Sequence, residues 1–63
     1  MRAAAALWQD RVGEIAEIRR NEYIVRRGII EEVMPDGSGL WLAADVNDGR
    51  EYFHKGLSFE LWV

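Results

Sequence analysis

A chain of 63 residues with no cysteine and a single histidine, His54, has few ways to hold itself together. Such a length holds one domain. A domain of this size buries roughly 60% of the surface its unfolded chain exposes, which leaves stability marginal, and small domains commonly add a staple. Disulfides are excluded here. A zinc site is nearly excluded, because thiolates are absent and His54 stands alone. What remains is a dense aromatic core or association with another chain. Three tryptophans, two tyrosines and two phenylalanines supply material for either. Each buried aromatic removes roughly 150–250 Å² from solvent.

The net charge of −3 hides an asymmetry. Residues 1–30 carry six arginines against four acids, whereas residues 31–63 carry Arg50 and Lys55 against seven acids. An acidic total argues against general affinity for phosphate backbones but leaves room for a local basic patch. No run of about 20 apolar residues exists, so no membrane span is expected. "MRAAAALW" is too short for a signal peptide and lacks a cleavage context before "QDR". It reads as the first turns of a helix. The absence of cysteine suits a cytoplasmic protein.

Residues 3–20, "AAAALWQDRVGEIAEIRR", carry a helical period. At about 100° per residue, Leu7, Ile18, Ala4, Ile15, Trp8, Val12, Ala5 and Ala16 gather on one side, with Asp10, Glu14 and Glu17 opposite. The alanine run favours helix, Gly13 falls on the polar side, Arg19 and Arg20 suit the last turn, and Asn21 is a stop. The apolar arc spans on the order of half the circumference, more than the ~100° stripe a sheet face requires. The surplus is either a second contact surface or alanine that needs no partner.

The rest reads as strands. "YIVRRGIIEEVM" (23–34) is rich in β-formers. Its alternation fails around Gly28, where a bulge or bend would let the adjacent Ile29 and Ile30 reach different surroundings. "PDGSG" is a turn. "LWLAADV" (40–46) alternates cleanly, "NDG" is a hairpin signal, "REYFH" (50–54) returns, and "FELWV" (59–63) is the last strand. The expected fold is α+β: an N-terminal helix followed by a four-stranded antiparallel meander, as a curved sheet or an incomplete barrel, in one domain spanning residues 1–63.

The segment "GIIEEVMPDGSGLWLAADV" (28–46) resembles the KOW-type segment of SH3-like barrels. Gly28, Ile30 and Val33 match its first strand, and Leu40 and Leu42 match the strand after the turn. The resemblance covers about a third of the chain. It implies an SH3-like barrel and a role among proteins that bind RNA, ribosomes or the transcription machinery. In this chain the segment is acidic, through Glu31, Glu32, Asp36 and Asp45, and lacks the basic residues that would face RNA.

Two constellations carry candidate function. Arg19-Arg20 and Arg26-Arg27 flank one junction and form a candidate anion-binding set for nucleic acid or an acidic partner. Alternatively they pair with Glu17, Glu22, Glu31 and Glu32. Trp41 and Trp62 lie opposite the aliphatic residues of their strands. With Trp8 and Leu7 of the helix they form a candidate partner-binding patch or dimer interface, a stacking platform for bases, or simply the far wall of a closed core. Nothing matches a nucleophile elbow, a phosphate loop or a metal motif. The side chains of Glu31 and Glu32 diverge along a strand, so they cannot act as an acid–base pair. The sequence therefore predicts a cofactor-free, non-enzymatic protein-interaction module that self-associates or docks onto a larger protein. The alternative is a nucleic-acid or ribosome accessory protein of the KOW kind.

Overall fold

The apolar residues of 15–18 divide between two faces. Ala16 and Ile18 are fully buried while Ile15 faces solvent. A computed structural model describes residues 2–63. Among the described residues there is no α-helix and there are five strands: β1 (Ile15–Arg20), β2 (Tyr23–Val33), β3 (Gly39–Leu42), β4 (Glu51–His54) and β5 (Glu60–Trp62), with one 3-10 turn (Lys55–Leu57) before β5. The α+β expectation, with a helix over 3–20 and four strands, is therefore overturned. The chain is nearly all-β.

The physical reason lies in what β1 pairs with. It runs antiparallel to β2 on one side and to β5 on the other, in the order β4-β3-β2-β1-β5. A helix would satisfy its own backbone and leave the first half of β2 and all of β5 without a partner on that side. Helix propensity is a weak prior against such pairing. The backbone upstream is also unlike a helix, with positive φ at Asp10 (61°) and Gly13 (91°). Gly13 and Glu14 then enter the ladder through hydrogen bonds with Ile30.

A two-residue turn, Asn21-Glu22, joins β1 to β2, with φ of 52° and 70°. Positive φ at both central residues is what a type I′ hairpin turn requires. β2 is long enough to serve two neighbours at different points along its length. Its first part pairs with β1, and its last residues pair with β3. The register shifts twice, leaving Val25 and Glu31 as extra residues on β2. Such bulges bend a strand and increase its twist. They flank Gly28, which itself pairs in register with Ala16.

The core draws on every strand: Ala16, Ile18, Ile30, Leu40, Leu42, Phe53 and Leu61, together with Trp8 from the N-terminal segment. Burying each large member contributes about 1.5–3 kcal/mol. Phe53 and Phe59 meet edge to face at 5.1 Å and tie β4 to the residue before β5. The N-terminal segment also protects a sheet edge. Ala3 and Ala5 hydrogen-bond to Val63 and Leu61, so β5 is covered on its outer side, as exposed strand edges commonly are. No helix is long and apolar enough to cross a membrane among the described residues.

Candidate functional site

Strand alternation places Ile15, Glu17 and Arg19 on the outer face of β1, opposite the buried Ala16 and Ile18. Their register partners on β2 are Ile29, Arg27 and Ile24. Trp62 lies in register with Glu17 on the other side. The outer face therefore has a charged centre between aliphatic ends.

Glu17 is the centre. It is only 4% exposed although it is charged and lies on the outer side of the sheet. Arg19 donates to its Oε1 from Nη2 at 2.6 Å and from Nε at 3.0 Å. Arg27 Nε donates to Oε2 at 2.8 Å, and Arg2 Nε lies 3.3 Å from the same oxygen. The hydrogen bonds from Arg19, reinforced by those from Arg27 and by both positive charges, hold the Glu17 carboxyl below the usual carboxylate range, although burial works the other way. The Arg19 guanidinium carbon also lies over Trp62, 4.0 Å from the ring centre, a contact favoured by the ring quadrupole. Trp62 Nε1 donates to Glu60 at 3.3 Å.

The four arginines singled out in the sequence do not converge. Arg19 and Arg27 share Glu17. Arg20 turns toward Phe59, 5.2 Å from its ring centre. Arg26 is buried and clamps the loop between β3 and β4. It donates to the carbonyls of Gly49 (2.6 Å) and Ala43 (2.9 Å) and to Glu51 (3.2 Å), while its Nε has no partner. The tryptophans separate as well. Trp8 is inside the core. Trp41 on β3 and Trp62 on β5 are half-buried, with β2 and β1 between them in the sheet. Leu7 is exposed. The surplus apolar arc attributed to a helix has no counterpart, because that helix is absent.

Trp41 heads a second outer-face row. It packs on Tyr52 at 5.2 Å, and Arg50 covers its ring at 3.9 Å. Arg50 is in turn held by Glu31 and Glu32. Tyr52 lies across Gly39, where a Cβ would come 2.2 Å from its hydroxyl oxygen; only glycine leaves that space. An open groove of about 510 Å³ runs between Gln9, Asp10, Val12 and Val33, Met34, Pro35. Among the described residues, no group of three or more His, Asp or Glu side chains is placed to hold a metal ion.

Sequence reasoning missed the aliphatic ends of the β1–β2 outer face. Ile15 and Ile29 are cross-strand partners and are 60% and 51% exposed. Ile24 at the other end is exposed to a similar degree. The signal was present in the adjacent pair Ile29-Ile30, since neighbours on a strand point to opposite faces. No family model, no curated protein and no solved structure matches the chain.

Proposed function

We propose that this chain is a non-enzymatic protein-interaction module that works by self-association or by docking onto a larger protein. The observation that carries the reading is the outer face of β1 and β2, where Ile15, Ile24 and Ile29 stand about half exposed or more. Single exposed aliphatics are ordinary, but β-branched residues grouped on one sheet face favour a contact that removes them from water. His54, the sole candidate base, supports a non-catalytic reading because its Nδ1 accepts from the Gly56 backbone N–H at 3.0 Å.

Sedimentation equilibrium and in-cell cross-linking test the reading together, with the double substitution Ile15→Ser/Ile29→Ser as control. Self-association appears as a mass above the monomer that falls to the monomer in the double variant. Docking appears as cross-linked species that the double variant loses. A monomer whose cross-linking pattern is the same with and without those isoleucines overturns the reading.

A second reading is a nucleic-acid or ribosome accessory protein, the class implied by the KOW-type resemblance. It is favoured by Arg2, Arg19 and Arg27 reaching one face beside Trp62. It requires retention on RNA or single-stranded DNA that weakens steeply with salt. Elution that does not depend on salt, or no retention in low salt, removes it.

A further inference from the structure

We infer that the outer face of β1 and β2 docks an acidic, aliphatic polypeptide segment of another protein, its carboxylates meeting Arg19 and Arg27 and its aliphatic side chains covering Ile15, Ile29 and Ile24. The inference rests on the protein-docking reading above and names the chemistry of the partner.

Charge complementarity selects this occupant. Glu17 lies beneath the arginines and is nearly buried, and Glu60 is exposed in register with Arg19, so the three guanidiniums of Arg2, Arg19 and Arg27 outnumber the two carboxylates beside them and leave this face a positive excess. Arg27 keeps 63% of its side chain exposed while its Nε is fixed on Glu17. One edge of the guanidinium is therefore anchored, and its remaining N–H groups stay free for a second carboxylate. Anchoring of this kind reduces the ordering that binding requires.

The same charges argue against the two other occupants. A second copy seated face to face about a two-fold axis would bring each Arg27 surface against a like surface, and like charges at an interface are unfavourable. A nucleic acid would meet a protein of net charge −3, and single-strand binders rely on open aromatic rings. Here the ring next to the arginines, Trp62, is already covered by Arg19. Half-exposed isoleucines fit aliphatic side chains better than bases.

The test is selection of a display library of random dodecapeptides against the immobilised full chain, repeated against Arg27→Gln, Arg27→Glu and Ile29→Ser. The wild-type chain is expected to enrich peptides in which Asp or Glu stands near Leu, Ile or Val. Arg27→Gln is expected to weaken a chosen peptide by roughly tenfold. Arg27→Glu is expected to shift enrichment away from acids, as reversing one charge at a specificity position does. Because Arg27→Glu places a carboxylate beside Glu17, the neutral Arg27→Gln variant carries the test if the reversed one fails to fold. Peptides enriched through Ile29 without an acidic bias overturn this inference and leave the docking reading standing. No enrichment by the wild-type chain beyond that by Ile29→Ser overturns this inference and the docking arm of the reading, and leaves the self-association arm to sedimentation.

Discussion

The guanidinium of Arg19 lies 4.0 Å above the centre of the Trp62 ring while two of its nitrogens donate to Glu17. One side chain thus joins β1 to β5 through a ring and neutralises the nearly buried carboxylate between them. Two further arginines complete the arrangement, so Glu17 is fully compensated only when β1, β2, β5 and the N-terminal segment are all in place.

This makes Glu17 an acid-sensitive fastener. Its folded-state carboxyl titrates below the ordinary value, chiefly through the hydrogen bonds from Arg19. A lowered folded pKa means stability that is fully present above the ordinary carboxylate range and is lost as pH falls through the folded value. Asp36 and Asp45 are lowered too, by hydrogen bonds from Ser38 and from the backbone N–H groups of Asn47 and Asp48. Urea midpoints measured from neutral pH downward are expected to stay level and then fall in the acid range. Glu17→Gln is expected to be less stable at neutral pH and to fall less on acidification. An identical acid dependence in the variant would remove Glu17 from this account.

Arg26 is a structural clamp, and its loss is expected to cost about 2–4 kcal/mol, because two loop carbonyls and a carboxylate lose a shared buried donor. Arg26→Lys is expected to recover only part of this, since an ammonium cannot fork toward Ala43 and Gly49 together. Chemical denaturation of Arg26→Ala and Arg26→Lys checks the order. An Arg26→Ala chain as stable as the parent would contradict the clamp.

Glu22 occupies a left-handed position that suits glycine, with φ at 70°. A non-glycine residue there is disfavoured by roughly 1–2 kcal/mol, partly offset by the greater backbone entropy glycine loses on folding. Glu22→Gly creates the Asn-Gly pair preferred in a type I′ turn. The expected gain is about 0.5–1 kcal/mol, or a few degrees in melting temperature for a domain of this size. Differential scanning calorimetry reads it directly, and a lower melting temperature would exclude strain at this turn.

Among the described residues, Trp8 is the one large buried core residue that no strand supplies. Trp8→Ala is expected to cost about 3–5 kcal/mol, comparable to what a core of this size rarely exceeds. The variant is therefore expected to be largely unfolded at room temperature, with weak chemical-shift dispersion. Leu7→Ala, next to it but exposed, is expected to change stability by less than about 0.5 kcal/mol. Equal effects of the two would mean that the N-terminal segment does not plug the core.

By itself, the sequence determined what could not hold the chain together, since it has no cysteine and one histidine. It also marked the turn at "PDGSG", which carries its turn chemistry locally, whereas "NDG" lies in a longer loop over residues 43–50, because β3 ends at Leu42 and Gly49 does not take the positive φ of a tight hairpin turn. It supplied a resemblance to SH3-like barrels that still rests on residues 28–46 alone. It misread residues 3–20, because an alanine run and spaced isoleucines satisfy a helical period as well as Ala16 and Ile18 satisfy a period of two. Only tertiary pairing separates those readings: β1 forms because β2 and β5 both need its backbone. The same pairing decided the candidate site. Four arginines that look equivalent in sequence part company because Glu17 lies in register with Arg27 and beside Arg19, while Arg26 alternates to the inside. Ile15 and Ile29 became one exposed patch only when the β1–β2 register set them side by side.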